Sequence, residues 1–392
     1  MGFVLKKEIR KRRVGLIKTG GKKLLTPYYF PTATVGAVKG IGLWELKKMG
    51  FAGILANTYH LYLRPGQKFI KKTGGLHKWL NWEDIILTDS GGYQVFSLGL
   101  SKNKKPLVKI TQRGVEFKSH LDGSKHFFTP EKVIEIQLDF KSDIIMPLDI
   151  CSRSNTTKKE VEKEGYLTLE WLKRSKNLFD KKIRSLSKTK INGAQKLGKI
   201  GKEISQKSFY RPLLFGIIQG GTFLDLRERL AKETIKLNLD GYAIGGLSVG
   251  EKKEKMWKVI KFLDKILPKN KPRYLMGVGD LNDYIKAINL GIDLVDCVLP
   301  TRLGRHGIAY KIKKLSFKNP SNIEVIKLDL RKKWAKNSFE PLDEKCLCEA
   351  CKNNLSISYL HHLIKEDEIL SKRLLSLHNL ATLKRINECL RE

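Results

Sequence analysis

The run Thr88-Asp89-Ser90-Gly91-Gly92-Tyr93-Gln94-Val95-Phe96-Ser97-Leu98 puts a carboxylate, a hydroxyl, two glycines and an aromatic ring directly after the apolar Ile85-Ile86-Leu87. A strand that ends this way can build a binding floor. Glycine lets backbone approach a ligand closely, Tyr93 offers a face to a flat ring, and Asp89 supplies a carboxylate at the strand's exit. Taken alone, the segment equally suits a plain strand-to-helix turn in which Asp89 or Ser90 caps the next helix. Similar tips recur along the chain, however. Asp149, Asp296, Gln219, Asn57, Gly245-Gly246 and Gly277-Val278-Gly279 each follow or end a short apolar run. Several carboxylates gathered on one face are the equipment of acid–base or nucleophilic chemistry.

A second cluster carries metal chemistry. Cys346-Leu347-Cys348-Glu349-Ala350-Cys351 has the spacing C-x-C-x2-C, and His378 follows beyond a helical pattern that contains His361 and His362. Three thiolates and one imidazole complete a tetrahedral shell suited to Zn²⁺, and a shell with no open position is structural. The spacing leaves the choice among His361, His362 and His378 open. Cys151, Cys297 and Cys389 read as small buried hydrophobes. Three of six cysteines crowded into one short segment do not make a secreted disulfide framework.

The elements that must position these groups follow from periodicity. Apolar runs at 29–33, 52–56, 85–88, 144–148, 213–218, 242–244, 274–276 and 294–298 read as strands, with amphipathic helical segments at 43–49, 130–140, 157–179, 225–237, 252–267 and 280–289. Alternation of this kind implies a parallel sheet. Eight such strands predict a (β/α)8 TIM barrel, in the α/β class, whose strand C-termini open onto one face; an open doubly wound sheet shares the same periodicity. We expect a catalytic barrel over 1–340, beginning with a β-hairpin region around Val14-Gly15-Leu16, and a zinc-binding subdomain with a C-terminal helix over 341–392. Residues 181–211 hold ten basic residues against one acid, Glu203, and read as a lysine-rich insertion, either a phosphate-contacting arm or a solvated linker.

The chain of 392 residues carries a formal charge of +36, which favours a polyanionic partner, nucleic acid first. No apolar run approaches the ~20 residues needed to span a membrane, and no apolar stretch follows the basic N-terminus as a secretory signal would require. A cytoplasmic, soluble, reduced protein is expected.

The TDSGGYQVFS run, Leu213-Leu214-Phe215-Gly216-Ile217-Ile218-Gln219-Gly220-Gly221, the stretch from Gly241 to Glu251, Asp296-Cys297-Val298-Leu299-Pro300-Thr301-Arg302 and the C-x-C-x2-C…His pattern together resemble the tRNA-guanine transglycosylases, nearly end to end outside the insertion. The resemblance implies a (β/α)8 barrel with a zinc subdomain, and an exchange of guanine at wobble position 34 of tRNAs with GUN anticodons (Asp, Asn, His, Tyr) for a 7-deazaguanine. It implies that Asp296 is the nucleophile and Asp89 the general acid/base. Asp89, Ser90, Gly91, Gly92, Tyr93, Asp149, Gln219, Gly245, Gly246, Leu247 and Met276 would bind the base, with Tyr93 and Met276 on its two faces. Gly277, Val278, Gly279, Asp280, Leu281, Asn282 and Asp283, with Thr301, Arg302, Leu303, Gly304 and Arg305, would lie along the anticodon stem-loop. Cys346, Cys348, Cys351 and His378 would hold one structural zinc per subunit of a homodimer. Val249 and Cys151 favour the bacterial type, which takes 7-aminomethyl-7-deazaguanine (preQ1). The chain departs from the family pattern at Ile150, Asp280, Leu303 and His306. The alternatives are a non-catalytic tRNA-binding partner subunit and a barrel enzyme acting on a small phosphorylated metabolite.

Overall fold

A computed structural model describes residues 2–98, 108–196, 210–316 and 322–392. Eight strands close into a parallel barrel in chain order: β1 (Tyr28–Ala33), β2 (Gly53–Ala56), β3 (Ile85–Thr88), β4 (Ile144–Ile145), β5 (Leu213–Ile218), β6 (Gly241–Ile244), β7 (Arg273–Leu275) and β8 (Leu294–Cys297). Each of the eight apolar runs is therefore a barrel strand, and the sheet is closed rather than open. The strands are apolar on both faces because barrel interior and helix layer both exclude water; β2, β3 and β6 are buried at every position. Helices α1 (Leu43–Lys48), α2 (Pro130–Phe140), α3 (Lys158–Lys196), α4 (Leu224–Lys236), α5 (Lys253–Asp264), α6 (Leu281–Ile288) and α7 (Ile369–Cys389) include the six expected from the sequence.

Two boundaries differ from expectation, each for a local reason. The fourth strand is laddered only at Ile144 and Ile145. Beyond them the Gln137 side chain from α2 takes over the role of a neighbouring strand. Its Nε2 donates to Met146 O at 2.7 Å and its Oε1 accepts from Met146 N at 2.9 Å. Helix α3 does not stop near Phe179 but continues to Lys196, so the first half of the lysine-rich segment is helical. An i,i+4 pair, Lys176–Asp180, and a bridge from Lys182 to Glu135 of α2 accompany the extension. The rest of that segment, 197–209, lies outside the described residues. The N-terminal region is a three-stranded sheet (Gly2–Ile9, Arg12–Thr19, Lys22–Thr26) rather than a two-stranded hairpin.

Acids mark the N-terminal ends of three barrel strands. Asp143 precedes β4, accepts from Ile86 N at 2.9 Å and pairs with Lys22 at 2.9 Å and His77 at 3.0 Å. Asp240 precedes β6, accepts from Leu214 N at 3.0 Å and pairs with Arg211 at 3.1 Å. Asp293 precedes β8 and pairs with the buried Arg13 at 3.1 Å. These contacts belong to the end of a barrel that serves stability.

By contacts the chain divides into two compact units. One comprises 1–5, 16–24 and 55–274; the other comprises 6–15, 25–54 and 275–392. The second contains α7, which is buried along most of its length. Among the described residues, no helix is long and apolar enough to cross a membrane.

Candidate active site and metal centre

In the first unit, the tips of β3, β4, β5 and β6 assemble one polar cluster. Asp149 is buried at its centre. Ser90 Oγ donates to Asp149 Oδ1 at 2.9 Å, and Gln219 Nε2 donates to Oδ2 at 2.8 Å. Gly92 N in turn donates to Ser90 Oγ at 3.1 Å. Burial pushes the Asp149 carboxyl up to about 6, against the lowering effect of the hydrogen bonds from Ser90 and Gln219. Gln219 keeps its second amide hydrogen free of that bond, and its buried Oε1 has no partner. Tyr93 directly follows Gly92 in the next helix and is 55% exposed, so its ring is presented to solvent. Leu247, after β6, is buried.

Donors from two strand tips hold the Asp89 carboxylate. Asn57 Nδ2 donates to its Oδ2 at 2.6 Å, while Thr58 N and Gly91 N donate to its Oδ1 at 3.0 and 3.2 Å. Thr58 Oγ1 donates to the Asp89 carbonyl at 2.5 Å. The tip of β2 thus fixes the acid at the tip of β3. Gln137 reinforces the same region, because its Oε1 also accepts from Thr88 Oγ1 at 2.9 Å. One α2 side chain therefore ties the residue before Asp89 to the end of β4, three residues before Asp149.

In the second unit, Asp296 ends β8, and its Oδ1 accepts from Gly277 N at 2.9 Å. The Tyr29 hydroxyl from β1 donates to Gly279 O at 3.2 Å and to Cys297 O at 3.4 Å, pinning the backbone on both sides of that contact. Met276 is half-buried just beyond β7. The Cys297 thiol is pushed up to about 11 by burial and by Asp296, and the Cys151 thiol to about 12 by burial and by Asp149, so both stay protonated near neutrality.

The two segments expected along RNA divide by exposure. Gly277, Asn282 and Arg302 face solvent, Asp283 and Leu303 are half-buried, and Val278, Gly279, Leu281 and Thr301 are buried. Asp280 caps α6 by accepting from Asn282 N at 3.0 Å and pairs with Lys327. Gly304 is the contact point between its helix and α7: a Cβ there would lie 2.5 Å from Ser376 N. Its lack of a side chain thus serves helix packing. Arg305 is half-buried with one guanidinium nitrogen lacking a partner, and burial lowers its pKa.

Cys346, Cys348, Cys351 and His378 come together, all buried, with one ligand atom of each within 4.8 Å of the others. His378 Nδ1 lies 3.5 Å from Cys348 Sγ and 3.4 Å from Cys351 Sγ. Its Nε2 lies 2.7 Å from the Tyr310 carbonyl. That carbonyl can only accept, so Nε2 carries the hydrogen and Nδ1 turns a free lone pair toward the sulfurs, the tautomer a metal-bound histidine needs. Hydrogen bonds from the neighbouring Cys346 and Cys351 hold the Cys348 thiol below its usual range, which favours thiolate within the cluster. The donor set and the oriented ring fit a metal ion. Of the competing histidines, His361 is engaged by the Leu330 carbonyl at 2.5 Å and His362 is exposed.

A closed parallel barrel whose polar side chains cluster at strand tips defines a (β/α)8 enzyme, here carrying a metal-binding cluster in its C-terminal region. A family model described as Queuine tRNA-ribosyltransferase matches residues 8–392. The chain belongs to that family, and is a pentosyltransferase of tRNA processing. A queuine tRNA-ribosyltransferase of Caldanaerobacter subterraneus subsp. tengcongensis is 45% identical over 99% of this chain and 92% of its own length. One from Dictyoglomus turgidum is 41% identical over 100% and 89%, and one from Prochlorococcus marinus (strain MIT 9312) is 43% identical over 96% and 89%.

Two positioning residues escaped sequence reasoning, Gln137 and Arg227. Each is a long polar side chain among buried positions that are otherwise apolar or, at Thr234, small, and that break in pattern was the available signal.

Proposed function

We propose that this enzyme exchanges guanine at position 34 of GUN-anticodon tRNAs for preQ1 by double displacement. The observation that carries the reading is the buried Asp149, hydrogen-bonded by Ser90 and Gln219 at neighbouring strand tips of a chain that matches the family over nearly its whole length. A carboxylate that bears the cost of burial with a free amide hydrogen beside it suits a purine edge: Asp149 accepts from N1–H and the exocyclic amine, and Gln219 and Gly246 N donate to O6. Tyr93 and Met276 stack on the base. The target nucleotide must leave the anticodon stack, at a cost of about a few kcal/mol.

The Asp296 carboxylate attacks C1′ of the ribose as the bond from C1′ to N9 breaks, and an ester to the sugar forms. Asp89 delivers a proton to the departing guanine. The incoming base then gives its N9 proton to Asp89 and attacks C1′ from the opposite side, releasing Asp296. Two inversions retain the configuration. Gly277 N keeps the nucleophile in place, and Asn57, Thr58 and Gly91 keep the acid in place. Arg302 contacts the RNA backbone. Cys346, Cys348, Cys351 and His378 hold zinc, which when bound cross-links the C-terminal segment and takes no part in the exchange.

The test supplies labelled guanine or preQ1 to tRNA transcripts that differ only at nucleotide 34, and looks for a covalent protein–RNA adduct. Incorporation only with G34, an adduct with the wild-type protein, and neither with Asp296→Ala are expected. Wild-type-like exchange by Asp296→Ala would end the nucleophile assignment and favour a non-catalytic partner subunit. Turnover of a small substrate without RNA would end the reading altogether.

A further inference from the structure

Arg227 projects from α4 into the cluster described above and is fully buried. Its Nε donates to Gly221 O at 2.9 Å, its Nη1 to Ile218 O at 2.6 Å and its Nη2 to Gly245 O at 2.8 Å. These carbonyls end β5 and β6 and flank Gln219 and Gly246. Burying a guanidinium is costly, and here burial lowers its pKa to about 9. An ammonium gathers its three donors on one nitrogen, whereas the planar fork of arginine spreads them over three nitrogens and so reaches three separated carbonyls.

The consequence lies in peptide geometry. In a trans peptide the carbonyl and the following N–H point in opposite directions. Arg227 draws the Gly245 carbonyl toward itself, so the Gly246 N–H of the same peptide points away from it. On that side the amide meets the Cys151 sulfur, next to Asp149. A thiol is a weak acceptor and yields readily to a carbonyl oxygen. The Gly245-Gly246 pair can otherwise rotate at little cost. Gly246 has φ +63°, and a Cβ on it would lie 2.3 Å from Gln219 Oε1. Rotation of the 245–246 peptide would present a carbonyl, which repels O6.

We propose that Arg227 is a positioning residue for base selection, locking the 245–246 peptide so that Gly246 N–H faces O6 of the purine. The proposal rests on the base-exchange reading above. It predicts selective damage: a base with an O6 acceptor suffers when Arg227 changes, and a base without one does not.

The experiment measures dissociation constants of guanine and 2-aminopurine for the full-length wild type, Arg227→Lys and Arg227→Met. 2-Aminopurine lacks O6. It also lacks N1–H, but that loss is common to all three proteins and cancels in the comparison. The wild type should prefer guanine by about tenfold or more, the weight of about one good hydrogen bond. In both variants guanine should weaken by about tenfold while 2-aminopurine shifts by less than about threefold, so that the preference collapses, and KM for tRNA should stay within about threefold. Equal weakening of both bases, or an unchanged preference, would overturn the proposal and leave Arg227 a structural residue. A wild type that exchanges no base in tRNA overturns the base-exchange reading instead, and this proposal with it. If circular dichroism shows both variants unfolded, the wild type decides. The slowly exchanging Arg227 Nε–H resonance should move when guanine binds and stay in place with 2-aminopurine; identical shifts with the two bases would refute the claim.

Discussion

Asp149 meets two opposed demands. In the unfolded chain its carboxyl ionises near 3.8, and in the fold at about 6. The native state therefore holds the proton more tightly than the unfolded one. Stability from this group is complete below about pH 3.8 and is lost as pH rises toward about 6, at a cost near neutrality of about 2–3 kcal/mol at ~1.4 kcal/mol per pH unit. Asp149→Asn removes that cost, and the hydroxyl of Ser90 and amide of Gln219 can both turn to accept. The variant should gain about 1–3 kcal/mol in a urea melt at pH 7 while its KM for guanine rises about a hundredfold, since an amide cannot accept from both N1–H and the exocyclic amine. In the wild type the affinity for guanine should weaken as pH falls below about 6. An affinity flat from pH 5 to pH 7, or a melt unchanged by Asp149→Asn, would contradict this account. The acids were legible in the sequence because each follows an apolar run. What Asp149 and Asp89 cost and who holds them was not, since Ser90, Gln219, Asn57 and Thr58 arrive from other strands.

At the level of elements, the two ends of the barrel carry different duties. Asp143 lies before its strand and binds Lys22, His77 and Ile86 N. Asp143→Ala strands a partly buried lysine and a buried amide, and should cost about 3 kcal/mol in a urea melt while leaving KM for both substrates within twofold. A shifted KM with intact stability would reverse that division of labour. The lysine-rich end of α3 belongs to the same scale. Lys181, Arg184 and Lys188 stand on its exposed surface. If this helix meets the RNA backbone, replacing the three with Gln should raise KM for tRNA. It should also lower the slope of log affinity against log salt by about 0.7–0.9 for each phosphate that the variant no longer neutralises. An unchanged slope would mark the extension as a solvated helix. Periodicity located all eight strands and the six helices between them, because apolar burial in a barrel imposes a local spacing. It overran the fourth strand, where a glutamine side chain substitutes for a neighbouring strand, and stopped α3 short, where apolar spacing fades but helix-favouring residues and ion pairs continue.

Over the whole molecule, the C-terminal region depends on a cluster that no apolar pattern describes. The three cysteine ligands lie in a small core with Ala309, Leu330, Leu342, Ile357, Leu360 and Leu375. Removing the metal with a chelator should lower the melting temperature and raise amide exchange first across residues 342–389, and Cys351→Ala should do the same without chelator. Full protection of that stretch after verified metal removal would show the cluster to be dispensable. Sequence alone determined the number and order of the barrel strands, the three cysteine ligands, the acids at the strand tips and the family, because each is written in residue type and short spacing. Spacing alone left open whether the sheet closes and which of His361, His362 and His378 meets the thiols; the family resemblance pointed to closure and to His378, and the tertiary structure agrees, while it alone shows that Gln137 and Arg227 reach the strand tips from helices. These depend on the directions in which side chains and peptide planes from distant segments meet, and a linear spacing carries no direction.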